Sequence, residues 1–218
     1  MISDAWMAKF TGIAFLVVAV TTLVSFYLSN AIFEASDVLV AIAENPLRLR
    51  ISIFLDLISS AGIIPLAVLL YVKLREYNHV VALLGLGWWL AEAIILAVSK
   101  ISLLTLLTLS QKYVAPGSGE TFLVDALADV LVGSGRWGYT VIRLFFGLGG
   151  HMFYSLYYTS RVIPRSLSQW GLVAVLLVLV GGVLFIFGKE PRIFLLLPNI
   201  LFESTLWGWL LLKGIGLP

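Results

Sequence analysis

Long apolar runs, each closed by a short polar or proline- and glycine-containing stretch, recur along the chain. Their spacing predicts six membrane-crossing helices over residues 7–29, 47–72, 78–110, 138–160, 169–188 and 193–213. At a rise of about 1.5 Å per residue, about 20 residues cross a hydrocarbon slab roughly 30 Å thick, so the third run has length left for tilt or protrusion. Two further stretches are amphipathic and too short to cross. Residues 31–43 set Phe33, Val38, Leu39 and Ile42 among Glu34 and Asp37, and residues 120–131 set Leu123, Leu127 and Val130 away from Asp125 and Asp129. Both read as interfacial helices. The expected fold is an all-α, polytopic membrane helix bundle forming a single integral membrane domain over residues 1–218. The first run follows Lys9 and is longer than the core of a signal peptide, so it reads as an uncleaved first membrane helix.

The polar positions that interrupt these runs carry more information than the runs themselves. Helix 78–110 buries Glu92 and Lys100 in apolar sequence, and Glu92 falls near mid-membrane however the helix is slid. A carboxyl there is costly unless it is neutral, paired or wetted, which makes it a candidate functional group. Lys100 is displaced from Glu92 by about 12 Å along the axis and about 80° around it, too far for a direct pair, so each needs a partner elsewhere. Helix 47–72 aligns Asp56 with Ser52, Ser59, Ser60 and Ile63, and Pro65 removes an amide donor near its middle. Helix 138–160 places Arg143, Gly147, His151, Tyr154 and Tyr158 within a sector of about 80°. Helix 193–213 holds Glu203, with Asn199 a turn before, Trp207 a turn after and Pro198 loosening the backbone ahead of them. Thr11, Thr22, Ser25 and Ser29 line one side of helix 7–29, a hydroxyl stripe suited to packing against a neighbour. Helix 169–188 has no ionisable residue over 170–187 and suits a lipid-facing position.

Composition agrees with this class. The 218 residues are 61% hydrophobic and 12% charged, with a mean hydropathy of +1.04, which excludes an ordinary soluble domain. A net charge of +2 spread over many loops leaves no basic stripe for nucleic acid, and the absence of cysteine excludes disulfides, thiolate metal sites and a cysteine nucleophile. Two acids a turn apart, Asp125 and Asp129, are too few oxygen ligands for calcium, and no HxxxH or ExxH spacing supports another metal, so neither metal nor cofactor is expected. Basic residues divide evenly between the two faces of a six-span topology. The short links at Lys73–Arg75 and Arg161–Arg165 favour both termini on the cytoplasmic side.

The stretches LYVKLREYNHVVALLGLGWWLAEAIILA from Leu70, YSLYYTSRVIPRSLSQWGL from Tyr154 and ESTLWGWLLLKG from Glu203 occur in this order. They resemble the bacterial membrane-protein family catalogued as domain of unknown function 4386. The resemblance covers roughly helices two to six, and SRVIPRSLSQWG is its most distinctive part. It implies a six-helix bundle in a prokaryotic cytoplasmic membrane and no established activity. In that family an arginine often precedes the glutamate of the third helix. Here Trp88 and Trp89 stand in that region, which implies a more aromatic pocket.

These residues lead to one central expectation: Asp56, Glu92, Lys100, Arg143, His151, Asn199 and Glu203 converge into one near-neutral network, because an unpaired ion in hydrocarbon costs several kcal/mol. Such a site suits an intramembrane acid–base enzyme acting on an isoprenoid or other lipophilic substrate, such as a cyclase or isomerase. Glu92, Glu203, His151 and Asp56 would move protons, and Trp88, Trp89, Trp207, Tyr154 and Tyr158 would face a developing cation. Lys100, Arg143 and Asn199 would complete the ligand contacts. The alternatives are a protein that binds or transports an ion or small molecule, and a membrane adaptor whose charges meet a partner subunit. The expected partners are the bilayer and a lipophilic small molecule, with a homo-oligomer compatible and nucleic acid excluded.

Overall fold

The computed structural model describes residues 4–115, 121–189 and 193–213. They form seven α-helices: α1 (Asp4–Phe33), α2 (Val38–Glu44), α3 (Pro46–Leu74), α4 (His79–Tyr113), α5 (Thr121–Ser160), α6 (Arg165–Ile186) and α7 (Leu197–Lys213). A single 3-10 turn over Ile193–Leu195 precedes the last. Local chemistry sets several of the starts. The Asp37 side chain accepts the Val40 amide at 3.0 Å ahead of α2, and Asn78 accepts the Val81 amide at 3.1 Å ahead of α4. Pro46 opens α3, where its missing N–H would have had no helical partner anyway. At the end of α5, Arg161 takes a φ of 58°, a left-handed conformation that turns the chain towards α6.

Three boundaries differ from the sequence expectation. The piece 120–131 is not a separate interfacial helix: from residue 121 it is the first third of α5, continuous with the span that follows. The Gly133-Ser134-Gly135 segment does not break it, because Val124, Ala128, Leu131 and Val132 pack against Leu103, Leu106 and Leu107 of α4. The Ser134 hydroxyl also lies within hydrogen-bond distance of the Leu131 carbonyl and of the Ser102 hydroxyl of α4. Tertiary packing thus overrides two weak helix formers. A second change is at α7, where Pro198 occupies the first turn and starts the helix rather than loosening its interior. The proline and glycines at 116–119, and Arg192, lie outside the described residues. The first interfacial helix is shorter than expected, because α1 runs on to Phe33 and α2 keeps only Val38–Glu44.

The long helices form a closed ring. Helix α1 packs on α3, α3 on α4, α4 on α5 by the largest interface, α5 on α6, α6 on α7, and α7 returns to α1. The α1–α3 seam is a hydroxyl zipper: Ser25 meets Ser52 at 3.0 Å, and Thr21 and Thr22 meet Ser59 at 2.6 and 2.8 Å. The α5–α6 seam is closed by glycines. A Cβ at Gly147 would lie 2.5 Å from Leu179, and one at Gly182 would lie 2.9 Å from Leu144. Outward faces are apolar, with Ile13, Val17, Phe54, Leu57, Ile94, Val98, Val173 and Val180 all exposed. Four helices are long and apolar enough to cross a membrane: Trp6–Phe33, Pro46–Leu74, His79–Tyr113 and Arg165–Ile186. With this composition and these faces the chain is a helical membrane protein.

Candidate functional site: two polar centres inside the ring

The inward polar groups separate into two centres, so the single network expected from sequence is not formed. The first joins α3, α4 and α5. Lys100 Nζ donates to Asp56 Oδ2 at 2.5 Å, and the Tyr139 hydroxyl donates to the same oxygen at 3.1 Å. Lys100 Nζ also lies 3.1 Å from the Tyr139 hydroxyl and 4.5 Å from the centroid of its ring. Asp56 is 3% and Lys100 2% exposed, so the pair is held out of water and its charges neutralise each other. The serines around Asp56 do not serve it. Ser52 and Ser59 turn to α1, and Ser60 donates to the Ala93 carbonyl of α4 at 2.8 Å.

The second centre is a cavity of about 30 Å³ bounded by Phe15, Val18 and Ala19 of α1, Ile63 and Leu66 of α3, Trp89 and Glu92 of α4, Phe146 of α5 and Glu203 of α7. Glu92 is buried and Glu203 partly so, and the two carboxyls act on each other electrostatically across the cavity. No cationic side chain among the described residues pairs with either. The Asn199 side chain, a turn earlier on α7, interacts with Glu203, and its buried Oδ1 has no hydrogen-bond partner among the described residues. The Tyr154 hydroxyl lies in the field of both carboxyls and has no hydrogen-bond partner among the described residues.

Trp89 sets the size of this space. Its indole N–H donates to the Phe146 carbonyl at 3.1 Å, and its ring stacks on Phe146 while meeting Phe15 and Phe153 edge-on. Gly149 of α5 lets the indole approach, since a Cβ there would strike the ring. The indole is 1% exposed and fills the centre of the bundle, leaving room for about one water beside the carboxyls.

The residues singled out in the sequence therefore part company. Glu92, Glu203 and Trp89 line the cavity, with Asn199 and Tyr154 beside its carboxyls but not in its wall, whereas Asp56 and Lys100 form the other centre. Arg143 is half-buried and interacts with Tyr139, not with the carboxyl pair. His151 is half-buried with an unpartnered Nδ1. Trp88 packs edge-on against Phe145, Tyr158 lies under Arg165 at 5.5 Å, and Trp207 packs against the apolar core; none of the three bounds the cavity. The physical reason is the offset on α4: Glu92 and Lys100 are two turns apart on different faces, so they meet different neighbours. Tyr139 was missed, although it stands one turn before Arg143 on the polar stripe of α5. Phe15 and Phe146 carry no sequence signal beyond apolarity.

Among the described residues no group of three or more His, Asp or Glu side chains is placed to hold a metal. No curated protein and no solved structure matches the chain. The model of the family described as Domain of unknown function (DUF4386) matches residues 10–214, a span that contains both polar centres, and the chain belongs to that family.

Proposed function

We propose that this chain is a six-span protein of a prokaryotic cytoplasmic membrane, with both termini on the cytoplasmic side, that binds protons at the Glu92–Glu203 pair and passes them across the bundle. The six spans are α1, α3, α4, α5, α6 and α7. The ring supports counting α5 and α7 among them, because each lies between two helices that are apolar enough to cross. The observation that carries the proton reading is that two carboxyls from different helices line one small cavity with no cation paired to either among the described residues. Two such groups in a low-dielectric interior cannot both ionise, so the pair holds a proton between them and exchanges it with whatever reaches the cavity. A glutamate inside a membrane bundle is the usual device of a proton relay.

The volume weighs against the lipophilic-substrate reading. About 30 Å³ accommodates water or a proton carrier, whereas ligand pockets typically run to roughly 300 Å³ or more, and Trp89 occupies the space such a substrate would need. The test is reconstitution into liposomes enclosing a pH indicator, with proton entry driven by a potassium diffusion potential. The expected result is potential-driven proton entry that is lost in Glu92→Gln and Glu203→Gln proteins of unchanged helicity. Entry equal to that of protein-free liposomes in the unsubstituted protein would refute the reading.

A further inference from the structure

Two tyrosines on α5 carry hydroxyls that packing does not explain. Tyr154 and Tyr157 are both 0% exposed, their rings stack with centroids 6.4 Å apart and planes 8° from parallel, and neither hydroxyl has a hydrogen-bond partner among the described residues. A buried hydroxyl without a partner costs about 1–3 kcal/mol, and phenylalanine would fill the same ring positions without that cost. The two hydroxyls are also ordered relative to the carboxyl pair. Tyr154 interacts electrostatically with Glu203, with Glu92 and with Tyr157. Tyr157 stands one turn nearer the end of α5, three residues before Ser160. From Tyr154 to that end is about 9 Å along the helix axis. There the turn at Arg161 and the exposed Arg165 mark the basic end of the bundle.

We propose that Tyr154 and Tyr157 form the proton path between the Glu92–Glu203 pair and the α5–α6 turn, a proposal that rests on the proton reading of that pair. Each transfer moves one proton: a hydroxyl gives its proton to the carboxylate side and takes another onto its lone pair from the neighbouring hydroxyl or an intervening water. The O–H bond that breaks is replaced by the one that forms, so no tyrosinate and no net charge is left on the path. Apolar groups flank Tyr154 on its other sides. Phe202 meets the Tyr154 ring at 4.8 Å and Val175 of α6 lies against Gly150 beside it, which keeps bulk water from bypassing the hydroxyls.

The experiment is hydrogen–deuterium exchange of the carboxylic acid followed by infrared spectroscopy on the full chain in lipid nanodiscs, with Tyr154→Phe, Tyr157→Phe and the unsubstituted protein compared. The expected result is a protonated-carboxyl band of unchanged position and amplitude, assigned by its loss in Glu92→Gln or Glu203→Gln, whose deuterium shift is at least about tenfold slower in either phenylalanine variant. An unchanged exchange rate with the band intact would overturn the path while leaving the carboxyl pair standing. Absence of any protonated-carboxyl band would overturn both. A purely structural role for the hydroxyls would move the band or the melting behaviour and leave the rate alone, and Tyr157, further from the pair, gives the measurement independently if the Tyr154 variant fails to fold.

Discussion

Replacing Lys100 by methionine offers the sharpest test of how the charged residues of this bundle are held. The Asp56 carboxylate then keeps only the Tyr139 hydroxyl, 3.1 Å away, in place of that hydroxyl and an ammonium at 2.5 Å. Stranding a buried charge in this way costs about 3–5 kcal/mol. The reciprocal change, Asp56→Leu, is milder. Lys100 retains the Tyr139 ring face at 4.5 Å, and a desolvated cation–π contact of that kind recovers about 2 kcal/mol. Replacing both at once removes both charges from the interior, and the double variant is expected within about 1–2 kcal/mol of the starting protein. Reversible unfolding with increasing dodecyl sulfate in mixed micelles, followed by circular dichroism, measures all four proteins under one condition. The sum of the two single costs should far exceed the cost of the double change. Additive effects, or a Lys100→Met cost below about 1 kcal/mol, would show that the pair is wetted or open and would refute this account of the first centre.

Three other expectations use the same unfolding assay. Gly149→Ala drives a methyl into the Trp89 indole and should destabilise by about 1–3 kcal/mol, whereas Gly87→Ala, with open space around it, should be neutral or stabilise by up to about 1 kcal/mol. Ser25→Ala and Ser59→Ala remove rungs of the α1–α3 zipper and should each cost about 0.6 kcal/mol, the usual worth of a hydroxyl contact between membrane helices. Trp89→Ala should cost about 3–5 kcal/mol and open a cavity at the ring centre, detectable as binding of xenon or a small aromatic that the unsubstituted protein excludes.

Most of the secondary structure was legible without coordinates, because a bilayer admits few solutions. Apolar runs of about 20 residues must be helices if they cross it, and their ends are marked by the Asn78 cap, Pro46 and the SRVIPRS turn. The hydroxyl stripe of α1 was equally readable as a packing face. Where α5 begins was not, since the Gly133-Ser134-Gly135 segment is a credible break until α4 is seen lying alongside it. The candidate ionisable residues could likewise be found by a simple rule, that a charge in hydrocarbon needs a reason, and this singled out Asp56, Glu92, Lys100 and Glu203, and also Arg143 and His151, which form no ion pair among the described residues.

What the chain could not reveal is who meets whom. The periodicity of a helix determines which residues share a face but not which neighbour that face turns towards. Only the closed ring decides that Lys100 meets Asp56 and Tyr139 while Glu92 shares a cavity with Glu203 and, among the described residues, with no paired cation. The volume between them was also undetermined by sequence, because whether Trp89 lines a pocket or fills it depends on Gly149, sixty residues away in the chain and in contact with it through the fold.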